Sequence, residues 1–176
     1  CYQEDADLEF DFTSGSAPFT VNYTINSIIA SPSLNFNSLG TQSIILNPDP
    51  QIGNNIFEII NIIDNNGCIG YISTSSDILV RELPNLDITI TGNNPICNND
   101  ISSLSFPVLA GTAPFNLSIM EGSTLNTLNI DASGMINGNT YQISPPNTTN
   151  YSLVSVTDAN GCFQNLSNSK TLIVNE

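Results

Sequence analysis

The sequence contains no tryptophan and no histidine, and its only basic side chains are those of Arg81 and Lys170. Without histidine, neither a Ser-His-Asp nor a Cys-His arrangement for nucleophilic catalysis can be built. The 16 acidic residues give a net charge of −14, which repels phosphate backbones and anionic lipid headgroups. We therefore expect no nucleic-acid partner and no catalytic centre of these types.

Long apolar runs and helix-forming residues are also scarce. No apolar run approaches the roughly 18 residues of a membrane-spanning helix, and no signal-like start is present, so we expect a mature or excised soluble fragment without direct membrane insertion. Charged residues make up only 10% of the chain, and its polarity comes instead from Asn, Ser and Thr. Ala, Lys, Arg and Glu, which would fill exposed helix positions, are few.

The residues that are present favour β-strands throughout. Leu8, Phe10 and Phe12 alternate with acidic residues, as expected of a strand with one buried face. The runs 56–63 and 151–157 are rich in β-branched and aromatic residues and are bounded by Asn, Asp and Gly. Gly and Pro recur every few residues to a dozen, a spacing typical of an immunoglobulin-like β-sandwich.

The sequence consists of two similar repeats. Ala17-Pro18-Phe19 follows Cys1 at the same distance as Ala113-Pro114-Phe115 follows Cys97, and the later Gly-Cys pairs, at Cys68 and Cys162, keep nearly the same register. A repeat of about 95 residues is of domain size. We predict an all-β protein of two tandem immunoglobulin-like sandwiches, residues 1–84 and 85–176, joined near 82–86.

Each repeat is expected to contain about seven short strands. In the second repeat we place them near 86–92, 102–110, 114–121, 125–131, 139–144, 150–157 and 170–175. The first repeat begins at the equivalent of Cys97, so we expect it to lack the initial strand and to be trimmed at its N-terminus. Tyr151, at the start of the sixth strand, occupies a position similar to the tyrosine corner of such sandwiches, and we expect it to act through packing.

The four cysteines occupy equivalent places in the two repeats and allow three pairings. Only Cys1–Cys68 with Cys97–Cys162 gives both repeats the same internal bridge, and we predict that pairing. Such bridges indicate an oxidising, extracytoplasmic location. The alternative is four buried free thiols.

A few acidic residues are weak candidates for calcium ligands. We predict no site for any other metal ion. Asp7, Glu9 and Asp11 share one strand face, where a solvated edge that discourages aggregation is the favoured interpretation. Asp64 and Asp158 precede Asn-Gly turns, and a turn is favoured over a metal loop. We expect no cofactor, and bound Ca²⁺ is the one alternative to that expectation.

The repeat motifs resemble the SprB-type repeat domains of large surface adhesins linked to gliding motility in flavobacteria and their relatives. The best matches are Gly111 to Phe115 and Val156 to Cys162, and the first repeat matches more loosely at 15–19 and 63–68. Such repeats commonly carry a Trp after the Pro-aromatic pair, which this chain lacks. The resemblance implies a type IX-secreted protein at the outer surface of the bacterial cell and brings no catalytic residues.

Two functions from different classes follow from these observations. The first is a non-catalytic repeat segment of a surface adhesin or filament, which extends the protein, supports adhesion or gliding, and has neighbouring repeats as partners. The alternative is a carbohydrate-binding module that holds glycans on exposed aromatic side chains. The chain has five tyrosines, of which Tyr23 and Tyr151 are expected in the core, so the adhesin function is favoured. A hydrolytic enzyme ranks third.

Overall fold

The computed structural model describes residues 1–30, 32–46, 51–72 and 74–175, and it divides into two compact units, Cys1–Arg81 and Glu82–Glu176. The elements of the described residues are all β-strands, so the predicted all-β sandwich class is confirmed. In this part of the chain, no helix has the length and apolar character that crossing a membrane would require.

The described residues of unit 1 form eight strands in two sheets. Their bounds are β1 Ala6–Phe12, β2 Phe19–Ile25, β3 Ile28–Ile29, β4 Leu34–Phe36, β5 Gly40–Leu46, β6 Gly53–Ile63, β7 Ile69–Gly70 and β8 Ser75–Val80. One sheet is the antiparallel pair β1-β5, and the other is centred on β2 and β6 with β3, β4, β7 and β8 at their sides. The extended form of β1 follows from its alternation, because Phe10 and Phe12 are buried while the acidic residues between them are exposed.

The core of unit 1 is aromatic. Phe12 stacks on Phe19 with ring centroids 4.6 Å apart, and Tyr23 stacks on Phe57 at 4.8 Å. Phe36 lies 4.9 Å from the ring of Phe10. Rings this large bury much apolar area, so they provide most of the hydrophobic stabilisation of a small unit with few other large core residues.

Over residues 82–175, unit 2 forms twelve shorter strands. They are β9 Asn85–Leu86, β10 Thr89–Ile90, β11 Ile96–Cys97, β12 Ser102–Ser105, β13 Val108–Ala110, β14 Phe115–Glu121, β15 Thr124–Ile130, β16 Tyr141–Ile143, β17 Thr149–Thr157, β18 Phe163–Asn165, β19 Ser169–Leu172 and β20 Val174–Asn175. β14 and β17 form the centre of one sheet, flanked by β15, β18 and β19. The three-stranded sheet β10-β12-β16 and the pair β9-β13 contribute side chains to the same core as this sheet.

The core of unit 2 is more aliphatic and more completely enclosed. Leu104, Phe106, Leu117 and Ile119 are fully buried, and Tyr151 packs in the same cluster. Burial of Tyr23 and Tyr151 agrees with the core positions expected from the sequence. Burial also raises the pKa of Tyr151 to about 12, since the phenolate would lose its hydration there.

The strand pattern differs in detail from the prediction. The long strand expected over 102–110 is broken into β12 and β13, and the short strands β11 and β18 were not expected. Fragmentation raises the number of strands above seven in both units. The boundary between the units lies three residues before the predicted one. The reason is that Pro84 packs against Gly111 of unit 2, so closely that a Cβ atom added to Gly111 would lie 2.8 Å from the Cα of Pro84.

Candidate functional site: a carboxylate clasp in each unit

The best-defined polar site of unit 1 is the carboxylate of Asp64, directly after β6. Its Oδ1 accepts hydrogen bonds from the N–H groups of Asn66 and Cys68, both at 2.9 Å. Its Oδ2 accepts a third from the N–H of Ser16 at 3.3 Å. Gly67 closes the turn with φ of 79°, a conformation that glycine adopts without steric cost. The carboxylate therefore organises its own turn and ties it to the loop that precedes Phe19.

Unit 2 repeats this arrangement at Asp158. Oδ1 accepts from the N–H groups of Asn160 and Cys162, both at 2.9 Å, and Oδ2 accepts from the N–H of Thr112 at 3.1 Å. Asp158 is only 6% exposed. We call each set of contacts the carboxylate clasp of its unit.

Backbone hydrogen bonds complete both clasps. The N–H of Asn65 donates to the carbonyl of Ser16, and the N–H of Ala159 donates to the carbonyl of Thr112, each at 2.9 Å. The Gly-x-Ala-Pro-Phe motif and the Gly-Cys motif, far apart in sequence, thus meet at one end of each unit. The shared spacing of these motifs is explained by this contact.

The clasp of unit 1 explains the lowered pKa of Asp64. The N–H of Cys68, followed by those of Ser16 and Asn66, lowers the pKa of the Asp64 carboxyl because all three stabilise its charged form. Asp64 and Asp158 therefore serve as turn organisers in this structure, as the favoured interpretation of the sequence had it.

The remaining calcium candidates lie on β1. Asp7, Glu9 and Asp11 alternate along it and all three are exposed, on one strand face as expected. Among the residues that the structure describes, no three Cys, Asp or Glu side chains form a group that could hold a metal ion. Calcium binding at any of the five acidic residues stays a prediction.

The predicted disulfide pairing is wrong in this structure. Cys68 and Cys97 carry exposed free thiols, whereas Cys1 and Cys162 are disulfide-bonded. Neither predicted pair, Cys1–Cys68 or Cys97–Cys162, is therefore formed.

The physical reason is position along the sheets. In unit 2, Cys97 lies opposite Asn175, beyond the Thr149 end of β17, while Cys162 follows the Thr157 end. A strand of this length separates its ends by roughly 25–30 Å at about 3.3 Å per residue. A disulfide needs Cα atoms within about 7 Å, so the two thiols of one unit cannot meet. In unit 1 the 11 residues of β6 impose a similar separation.

A second organised loop, at Asp131, was not predicted from the sequence. Its Oδ1 accepts from the N–H groups of Ser133 and Met135, and its Oδ2 accepts from the N–H of Gly138 at 2.8 Å. These bonds, with that from the Ser133 hydroxyl as the largest influence, lower the pKa of Asp131 to about 2. The Asp-x-Ser-Gly sequence is a turn signal that could have indicated this loop.

Exposed aromatic side chains bear on glycan binding. Tyr71 is 79% exposed and borders an open hollow of about 420 Å³ that Thr24 and Glu58 also line. Phe163, in unit 2, is 51% exposed. The hydroxyl of Tyr141 is already engaged within the unit, because it donates a hydrogen bond to Glu121 Oε1 at 2.6 Å.

Comparison of the sequence with protein-family models and with curated proteins gives no match.

Proposed function

We propose that this chain is a non-catalytic pair of structural repeats from an extracellular bacterial surface protein, in which it extends the molecule and supports adhesion or gliding. Its partners would be neighbouring repeats of the same long chain, with surfaces or glycans as further contacts. The SprB-type resemblance of the motifs belongs to this proposal.

The observation that carries the proposal is that the residues shared by the two copies build the framework. Phe19 and Phe115 pack in the cores, and Asp64 and Asp158 hold the clasps. A protein that repeats its framework while varying the surface matches the requirements of an array of modules. The disulfide-bonded state of Cys1 and Cys162 supports an oxidising compartment.

Adhesion and turnover assays test this function together. The immobilised chain should retain glass or polystyrene beads under flow, and it should release no product from a panel of polysaccharides. Turnover of any glycan that is lost when one carboxylate is changed to its amide would contradict the non-catalytic assignment. Absence of bead retention with a folded chain would contradict adhesion by this segment.

The carbohydrate-binding alternative is favoured by one observation, the exposed ring of Tyr71 beside its hollow. Aromatic rings that border polar side chains are suited to stack on sugar rings. Saturable binding to one glycan on an array, weakened at least tenfold by Tyr71→Ala and unchanged by Phe163→Ala, would establish this alternative. Equal effects of the two substitutions would reject it.

A further inference from the structure

One hollow of unit 1 lies on the outward face of the sheet centred on β2 and β6. Thr24 and Glu58, which line it, are direct partners across these two strands. Each follows a residue of the core, Tyr23 or Phe57, so the alternation of a strand turns both of them outward. Tyr71 borders the same hollow, and we call it the Tyr71 hollow.

The hydroxyl of Thr24 is unusual because it lacks a hydrogen-bond partner. Thr24 is 8% exposed, and in the described part of the chain its Oγ1 is the one buried side-chain oxygen or nitrogen without such a partner. Even Glu58, directly across from it, does not accept a hydrogen bond from it. An unsatisfied buried hydroxyl costs free energy, and most such groups in proteins are satisfied. An added polar group would therefore be stabilised at this place.

The carboxylate of Glu58 has no cation of its own unit beside it. Arg81 is the only basic side chain in residues 1–81. It follows the end of β8, which pairs with Gly53, five residues before Glu58. At about 3.3 Å per residue, these positions lie roughly 16 Å apart. The N-terminal ammonium group is bound to Glu4 at 2.9 Å. The charge of Glu58 is thus available to a cation from another molecule.

Unit 2 does not repeat the polar and aromatic groups of the Tyr71 hollow. The residues at the matching positions are Met120, Ser152 and Asn165, in place of Thr24, Glu58 and Tyr71. Met120 and Ser152 are direct partners on β14 and β17, so these positions are also structurally equivalent. The three residues of unit 1 are therefore not part of the framework that the two repeats share.

The chemistry of the lining favours a cation over a sugar. The charged group is an acceptor, and no amide or basic side chain occurs among the described lining residues. A sugar hydroxyl both donates and accepts, whereas an ammonium group only donates, through three hydrogens. The carboxylate of Glu58, the Oγ1 of Thr24 and the ring face of Tyr71 all attract such a group. Ile60 and Ile72 provide apolar surface for an aliphatic stem.

Exposed aliphatic side chains lie around the hollow. Ile29, the direct partner of Thr24 on β3, is exposed, and so is Ile56, two residues before Glu58 on the same face of β6. A polypeptide with apolar residues beside a basic one would cover these side chains, and a small amine would leave them in water. The surroundings therefore fit a polypeptide better than a free amine.

We propose that the Tyr71 hollow binds a lysine side chain of a separate partner polypeptide, in which apolar residues flank the lysine. The ammonium group donates to Glu58 and to Thr24 Oγ1 and lies against the ring of Tyr71. The stem of the lysine packs on Ile60 and Ile72, and the flanking residues cover the exposed aliphatic side chains nearby.

Charge also distinguishes the partner from a second copy of this chain. Each copy carries a net charge of −14, so two copies repel each other, whereas a basic partner is attracted. A second copy offers only Arg81 and Lys170 as basic side chains. The partner is accordingly a polypeptide of different composition.

The experiment titrates the isotope-labelled full chain with the peptide acetyl-Gly-Leu-Lys-Leu-Gly-amide and follows its amide resonances by NMR. We expect the shifts to be confined to residues around Glu58 and Tyr71. Acetylation of the lysine Nζ keeps the stem and removes the charge, and it should weaken binding at least tenfold. Equal binding of the acetylated peptide, shifts spread over both units, or no binding of the lysine peptide would overturn the proposal.

Variants of the chain divide the binding among its groups. Glu58→Gln should weaken binding of the lysine peptide at least tenfold. Glu9→Gln makes the same change of net charge on an exposed face of β1 and should weaken it less than twofold. Thr24→Val should weaken it several-fold without lowering the melting temperature, because it removes a hydroxyl that has no partner. Equal effects of Glu58→Gln and Glu9→Gln would overturn the proposal.

Further outcomes identify the ligand. The n-butylammonium ion has the same head group and stem and should bind at least fivefold more weakly than the peptide, and equal affinity would overturn the polypeptide source. Shifts of the same residues that rise with protein concentration alone would assign the hollow to a second copy and overturn the separate partner. Glycan binding that survives Glu58→Gln, without peptide binding, would overturn the lysine and support the carbohydrate-binding alternative. Bead retention is a separate readout, because this proposal does not rest on the adhesin function.

Discussion

The two units show what one strand contributes to a small β-sandwich. Unit 2 has strands β9 and β10, which pair with β13 and β12, and its Leu104 and Phe106 are fully buried. Unit 1 has no such strand in its described residues, and Phe10 is 9% exposed where Phe106 is sealed. The same sequence framework thus encloses its core more completely in unit 2 than in the described residues of unit 1. We expect unit 2 to be the more stable of the two.

The largest expected effect comes from removing a buried side chain of the segment that contains β9 and β10 in unit 2. Ile88→Ala deletes a fully buried side chain and should cost about 2–5 kcal/mol of unfolding free energy. Unit 2 should then approach the stability of unit 1 in denaturant titrations followed by residue-resolved hydrogen exchange. Leu109→Ala, at a position 61% exposed, is the matched control and should change stability by less than about 0.5 kcal/mol. Equal effects would show that the strand does not enclose the core.

The clasps allow a sharper comparison at equivalent residues. Asp158→Ala leaves the N–H groups of Thr112, Asn160 and Cys162 without their acceptor in a buried site, and it should cost about 2–4 kcal/mol. Asp64→Ala should cost less, because water can reach the more open clasp of unit 1. Thermal unfolding of both variants measures the difference. A larger loss for Asp64→Ala would contradict the greater enclosure of unit 2.

Acid stability should distinguish the units through Asp131, which belongs to unit 2. Its folded pKa of about 2 lies below the ordinary value of 3.8, so its stabilising contribution is present above about pH 4 and is lost as pH falls towards 2. Asp131→Asn should therefore flatten the loss of unit 2 stability over this range. Ser133→Ala removes one donor and should flatten it less. An unchanged acid profile for Asp131→Asn would contradict the contribution of this loop.

The smallest expected effect concerns the thiols. Iodoacetamide should modify Cys68 and Cys97 in the native chain, and Cys1 and Cys162 only after reduction. Because both reactive thiols are exposed, their modification should shift the melting temperature by no more than about 1 °C. Peptide mapping without reduction reads the result. Four reactive thiols, or a Cys97–Cys162 peptide, would contradict the cysteine state described above.

Much of the fold was predictable because alternation and repetition are local or periodic signals. The burial of Phe10 and Phe12 with exposed acids between them follows from the strand period alone. The clasp turns were indicated by Asp and Asn-Gly, but their contact with the Ala-Pro-Phe loop depends on long-range pairing that spacing does not encode. The disulfide prediction was wrong for the same reason, because equal loop lengths do not reveal that Cys97 and Cys162 lie at opposite ends of a sheet.

Residue-resolved hydrogen exchange of the unmodified chain tests most directly whether these are two copies of one module that differ in the pairing of one strand. Antiparallel pairing directs alternate backbone groups of a strand to opposite sides. In unit 2 the carbonyls of Ser103 and Pro107 accept from Thr91 and Asp87, so we expect the amide of Glu9, at the matching position of β1, to point away from β5. We predict that Glu9 exchanges at least tenfold faster than its counterpart Ser105, which lies opposite Thr89 in the closed sheet of unit 2. Equal protection of Glu9 and Ser105 would contradict this difference in strand pairing.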